Sequence, residues 1–152
     1  MSANSPQGAT AMSSQLLPLG LAIKRVQHRH HRALDAALIE IGTTLAQSNA
    51  LRAIARHPDS SSHRLAGLTF QTDQSFGALA NRMVDRGLIR RVAGEGRAIL
   101  HHLTPEGQAM LEAGQAVSER VLAKSFAPLT KAERSQLQAL LDKMLGDDAP
   151  PG

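Results

Sequence analysis

Residues 60–97 read SSSHRLAGLTFQTDQSFGALANRMVDRGLIRRVAGEGR, and the order of structure they spell decides the fold. Ser62, with Arg64-Leu65-Ala66-Gly67-Leu68 after it, opens a helix of about two turns. Phe70-Gln71 is a turn, and Thr72 is a good N-cap for a second helix, with Asp73 favourable near its positive end. Phe76, Leu79, Ala80 and Met83 fall at i, i+3, i+4 and i+7, the spacing of a buried stripe. The other face carries Gln74, Ser75, Gly77, Ala78, Asn81, Arg82 and Asp85. Gly87 ends the helix as a C′ glycine. Leu88 to Val92 and Ala98 to Leu103 read as strands, with Ala93-Gly94-Glu95-Gly96-Arg97 as the turn between them. Two short helices around a tight turn, then an arginine-rich hairpin, is the layout of a winged helix.

Downstream, Thr104-Pro105-Glu106 starts a new helix with an N-cap and an N1 proline. It runs to about Phe126, with Met110, Leu111, Ala113, Val117, Val121 and Leu122 roughly in phase. Pro128 breaks it. Thr130-Lys131-Ala132-Glu133 is a capping box for a last helix with Leu137, Leu140, Leu141 and Met144 on one side. Upstream, Thr44 to Gln47 is another capping-box pattern, opening a helix with Leu45, Leu51, Ile54 and Ala55 inward. His57-Pro58-Asp59 stops that helix, because the residue before a proline disfavours the α region. Ser60 to Ser62 offers a short strand or a cap.

The first helix is expected from about Gln15 to Ile41, with Pro18 in its first turn. Leu16, Leu19, Ile23, Val26, Leu34, Leu38 and Ile41 recur along it, and it is too long for one small core to cover. Burial against a second copy is the natural use. The expected fold is therefore mainly α with a small β-hairpin wing. Its order is helix, helix, strand, helix, helix, strand, wing turn, strand, helix, helix. One domain spans 15–145, with a winged-helix lobe at 42–104 and dimerisation helices at 15–41 and 105–145. Residues 1–14, rich in Ser, Ala and Gly, read as a disordered arm, and 146–152 as a flexible tail.

Composition narrows the partner. The 152-residue chain has 17 Lys+Arg against 13 Asp+Glu, a formal net charge of +4. Arg52, Arg56, Arg64, Arg82, Arg86, Arg90, Arg91 and Arg97 are offset between them only by Asp59, Asp73, Asp85 and Glu95, so this stretch carries the whole excess. A concentrated basic surface suits a phosphate backbone. With three Phe and no Trp or Tyr, the stacking that single strands and RNA require is missing. The absence of cysteine excludes disulfides, thiolate metal sites and thiol redox sensing. No apolar run reaches the roughly 20 residues of a membrane span, and the N-terminus lacks the layout of a secretory signal; a cytoplasmic location is expected.

Reading the major groove takes a short helix that exposes small and hydrogen-bonding side chains. The fourth helix supplies Gln74, suited to bidentate pairing with adenine, with Ser75 and Asn81, while Gly77 and Ala78 let the helix sink close. Ser62, His63 and Thr72 are set to donate to phosphates, helped by backbone N–H groups at the helix starts. Arg97 is at the wing tip and Arg90 and Arg91 are on the strand leading in, only one of which can face the duplex because strand side chains alternate.

These residues resemble the MarR family (multiple antibiotic resistance regulators) of dimeric winged-helix repressors. Leu65-Ala66 is similar to the L-A of its third helix, and Leu79, Arg82, Gly87 and Leu88 to the L-x-x-R-x-x-x-x-G-L of its recognition helix. Arg97 matches the wing-tip arginine and Thr104-Pro105-Glu106-Gly107 the L-T-x-x-G start of the dimer helix. The resemblance runs from about Leu16 to Leu145 and implies a homodimer with the first, fifth and sixth helices interleaved. Its two lobes would meet successive major grooves of a pseudo-palindromic double-stranded operator, with half-sites about 10 bp apart or a small multiple. The chain departs from the family pattern in a wing turn about two residues shorter, in Asp73 and Gly77, and in Asn81 where aspartate is common.

The histidines leave the signal open. His28, His31 and Asp35 share one helix face at metal-ligand spacing, but H-x-x-H with a carboxylate is common by chance and no cysteine supports it. The bland reading is a basic, partly exposed helix surface. No cofactor is required. The resemblance implies a small aromatic or anionic effector, with His28, Arg29 and Arg32 as candidate contacts. A ligand-independent architectural DNA binder, a metal-responsive regulator and a protein-interaction module are the competing readings. No nucleophile, phosphate loop or carboxylate pair suggests an enzyme.

Overall fold

In a computed structural model that describes residues 7–148, six helices surround a single β-hairpin. Helices α1 (Gln7–Glu40) and α2 (Leu45–Arg56) precede the short α3 (Ser62–Leu68) and α4 (Asp73–Asp85). Strands β1 (Ile89–Ala93) and β2 (Ile99–Leu103) pair antiparallel, with Ile89 opposite Leu103, Arg91 opposite His101 and Ala93 opposite Ile99. Helices α5 (Pro105–Phe126) and α6 (Lys131–Leu145) follow, with a 3-10 turn at Gly146–Asp148.

The five helices after α1 start with side-chain caps. Thr44, Ser61, Thr72, Thr104 and Thr130 each accept a hydrogen bond from a backbone N–H three residues on. The reciprocal box closes only at α6, where Glu133 also accepts from the Thr130 N–H. At α2 the expected return bond from Gln47 is absent, because its side chain is used elsewhere. Gln47 is buried and its Oε1 accepts from Thr43 at 3.2 Å and from Arg86 at 2.6 Å. The same Arg86 guanidinium donates to the Gly42 carbonyl at 2.6 Å, so the end of α4 is tied to the α1–α2 corner.

The core gathers Leu51 and Ile54 of α2, Leu65 and Ala66 of α3, and Phe76, Leu79, Ala80 and Met83 of α4. Leu88, Ile89 and Leu111 complete it. The stripe expected on the fourth helix is thus the buried one. Gly107, in the first turn of α5, lies against the backbone of Leu88, where a Cβ would fall 1.9 Å from the carbonyl oxygen.

Four expectations are corrected. The strand expected between the second and third helices does not form: Ser60 N–H closes a turn onto the His57 carbonyl and Ser61 is committed as the cap of α3, which leaves no free run to pair. Ser62 accordingly follows the cap. Helix α1 begins at Gln7, so residues 7–14 are helical and not a free arm, while 1–6 and 149–152 lie outside the described residues. Pro18 therefore sits inside α1, where its nitrogen offers no N–H to the helical ladder. Two alanines expected inward are exposed: Ala55 on α2, and Ala113 on α5, where Gly114 takes the buried position against Leu38 and Ser48.

Candidate nucleic-acid interface

The packing that buries Phe76, Leu79, Ala80 and Met83 turns the opposite face of α4 outward. Gln74, Ser75, Ala78, Asn81 and Arg82 are exposed and Gly77 is half-buried with open space above its Cα. Thr72, exposed at the cap, is already an acceptor for the Ser75 N–H at 3.1 Å, which leaves its hydroxyl proton available. Helices α3 and α4 meet at their N-termini: His63 Nδ1 lies 3.0 and 2.9 Å from the two carboxylate oxygens of Asp73.

The hairpin borders this face. Arg91 shares a sheet face with His101 and donates to Asn81 Oδ1 at 2.6 Å, so of the two arginines on β1 it is the one linked to α4. Arg90, opposite His102, is exposed on the other side. The wing turn is compact, closed by Gly94 N–H on the Ala98 carbonyl at 2.8 Å and by Gly96 at φ 64°. Arg97 is exposed within it. Of the residues expected to meet a nucleic acid, His63 is brought to the start of α4 and Arg91 to Asn81, while Arg90 diverges from Arg91. Asn81, expected to read a base, has its carbonyl oxygen occupied by Arg91.

Two partnerships were missed from sequence. His63 with Asp73 and Asn81 with Arg91 are each separated by ten positions and lie on different elements. The first pair was within reach of inference, since each of its residues stands in the first turn of a helix and a helix-turn-helix brings those turns together.

The histidine-rich segment behaves differently. His28, Arg29 and Arg32 line an open groove along α1, together with Leu21, Arg25 and Val26. Its walls come from one helix only, so the chain by itself does not enclose it. Arg29 and His30 reach Ser125 on α5, at 3.3 and 2.5 Å, and His30 stacks edge-on with Phe126. His28, His31 and Asp35 share a helix face, but among the described residues no group of three His, Cys, Asp or Glu is gathered that could hold a metal ion. Asp35 instead accepts from the Leu45 N–H at 3.0 Å, anchoring the start of α2.

Comparison with known proteins places this geometry. A MarR family model matches residues 41–98. The HTH-type transcriptional repressor Rv2887 of Mycobacterium tuberculosis is 31% identical over 133 residues, covering 86% of this chain and 95% of its own. Its crystal structure in complex with salicylic acid has a TM-score of 0.71 at 29% identity, covering 84% of this chain and 96% of that one. A mutant MarR from E. coli, solved with operator DNA, has a TM-score of 0.77 at 25% identity, covering 86% and 96%. With the winged lobe, the capped recognition helix and a relative matched along nearly its full length, the chain belongs to the MarR family.

Proposed function

We propose that this protein is a homodimeric transcriptional repressor that binds a pseudo-palindromic double-stranded operator and is released by a small aromatic acid. The observation that carries the reading is the outward face of α4. Gln74, Ser75 and Asn81 offer hydrogen bonds there, Gly77 and Ala78 allow close approach, Arg91 is joined to it from the hairpin, and Arg97 is exposed in the wing turn. Base edges in the major groove are read by such donors and acceptors, while arginines on phosphates set affinity and salt dependence. Ser62, His63, Thr72, Arg82 and Arg90 supply further phosphate contacts around this centre.

In this reading 42–104 is the DNA-binding lobe, and 15–41 with 105–145 dimerise. The groove along α1 becomes an effector crevice when a second copy closes it, with Arg29, Arg32 and His28 facing an anionic carboxylate. The complex of Rv2887 with salicylic acid supports that class of ligand. Release works by population shift: a ligand that favours one spacing of the two recognition helices disfavours the operator-bound spacing. Such a regulator works in the cytoplasm and catalyses no reaction.

Footprinting on the DNA upstream of its own gene, across a salt series, tests the proposal. A protected pseudo-palindrome with a steep negative salt slope is expected, and titration with salicylate should reverse it. Replacing Gln74, Asn81 and Arg97 together with Ala should lower affinity at least a hundredfold, since each base contact contributes about 1–3 kcal/mol. Unchanged binding by that variant rules the proposal out.

A further inference from the structure

Asp73 is the one acid between Ser61 and Asn81, on the face that the proposed function turns towards phosphates. An acid in the first turn of a helix is favoured by the helix dipole wherever it occurs, so its presence alone is not informative. Its partner is. His63 stands in the first turn of α3, just after the Ser61 cap, and its Nδ1 meets both Asp73 oxygens within 3.0 Å. This is the only ion pair among the described residues, and both side chains remain open to solvent, 86% and 66% exposed.

The imidazole has two nitrogens with distinct tasks. With Nδ1–H given to the carboxylate, a neutral ring presents Nε2 as a bare acceptor, whereas the cation presents Nε2–H as a donor. A phosphate oxygen only accepts. Contact between Nε2 and the DNA backbone therefore requires the imidazolium, and an adjacent carboxylate orients the ring.

We propose that His63 and Asp73 act as one phosphate-binding unit. Asp73 is the positioning residue, holding the ring through Nδ1; the Nε2–H of the imidazolium donates to a backbone phosphate. Where the ring is neutral in the free protein, operator binding adds a proton from solvent to Nε2, with no other bond made or broken. Alone the acid would repel DNA; paired with the imidazolium it forms a net-neutral unit with an Nε2–H left to donate. The inference rests on the reading that this face meets duplex DNA.

The charged groups around His63 are few. Asp73 comes from α4, Arg64 follows on α3, and His57 and Asp59 lie in the connection before it. Of the other elements packed on α3, helix α2 carries Arg52 and Arg56 and strand β2 carries His101 and His102. Apart from Asp73, none of these forms a hydrogen bond or ion pair with His63 among the described residues.

The test is the affinity of the full-length dimer for the duplex protected in footprinting, measured from about pH 6 to about pH 8 at constant salt. Wild-type affinity should fall by about tenfold per lobe across that range. His63→Gln should flatten the profile apart from what other histidines contribute, and His63→Arg should bind tightly with little pH dependence. Asp73→Ala should weaken binding at the acid end although it removes a negative charge from the DNA face. Combining it with His63→Ala should cost no more than His63→Ala alone. Circular dichroism and the thermal midpoint establish that each variant is folded. Two results overturn the inference while leaving DNA binding intact: tighter binding by folded Asp73→Ala at every pH, or a His63→Gln profile that tracks the wild type. A wild-type protein that protects no duplex removes the DNA-binding reading itself, and this inference with it.

Discussion

His101 is buried to 1% exposure, edge-on to Phe76 and directly across the ladder from Arg91, and neither ring nitrogen has a hydrogen-bond partner. Burial holds its pKa below the ordinary histidine value, and the charges of Arg91 and His102 push the same way. The native state thus keeps the ring neutral while the unfolded chain takes up a proton near the ordinary value. Unfolded binds more protons than folded in that window, so stability rises with pH through it. It is complete above the unfolded value and is lost as pH falls towards the depressed native one. Chemical denaturation from about pH 7.5 down to about pH 5 should show a loss of stability in the wild type that His101→Leu lacks. At the upper end that variant should lie within about 1 kcal/mol of wild type, because an unpartnered polar ring is being replaced by an apolar group. A variant with the same acid sensitivity as wild type would show that the sensitivity comes from elsewhere. The neighbouring Arg91–Asn81 bond belongs to this scale too: the asparagine accepts from the arginine where the family often places an aspartate.

Among the elements, the join between the hairpin and α5 is the most tightly specified. Thr104 caps α5 through the Gly107 N–H at 3.0 Å, gives its hydroxyl to the Gly87 carbonyl at 2.5 Å, and pairs its N–H with the Leu88 carbonyl at 3.1 Å. The T-P-E-G run thus starts a helix and docks its first turn on the segment leaving α4. Glycine at 107 is required by proximity, since a methyl group would collide with backbone that cannot swing away. Gly107→Ala should destabilise the protein by roughly 3 kcal/mol, read from the urea midpoint at unchanged m-value. An unchanged midpoint would mean that α5 does not approach Leu88 this closely. The fixed α4–hairpin–α5 corner also keeps Arg91 beside the recognition helix.

For the whole molecule, the decisive fact is how much apolar surface the single chain leaves uncovered. No residue of α6 is buried, and Leu140, Met144 and Leu145 are 55, 69 and 48% exposed. At the other end Leu16, Leu17, Leu19 and Leu21 of α1 are all more than half exposed. Surface of this extent belongs to an interface, and terminal helices at both ends of the chain suit a two-fold, interleaved arrangement. Leu140→Glu combined with Met144→Glu should shift the protein to monomer in sedimentation equilibrium and leave the lobe folded. Operator affinity should fall at least a hundredfold, because two half-sites are no longer held together. A dimer that survives both charges would place the interface elsewhere.

The sequence by itself determined the order of the helices, the threonine caps of α2, α4, α5 and α6, the hairpin and the face of α4 that turns outward, because these follow from spacing and from side chains acting on backbone a few residues away. It also reached the family, through motifs read along the chain. It erred where local signals were permissive. Ser60 to Ser62 could cap or pair, and only the packed lobe decided for the cap. The structure also gives Asp35, which shares a helix face with His28 and His31, a partner that spacing did not indicate: it accepts from the Leu45 N–H at the start of α2. Tertiary structure alone decided the partners across elements: Asp73 for His63, Asn81 for Arg91, and Gln47 and Gly42 for Arg86. Those choices depend on how helices cross and how strands register, distances that are set by the burial of the core and are written at no single place in the chain.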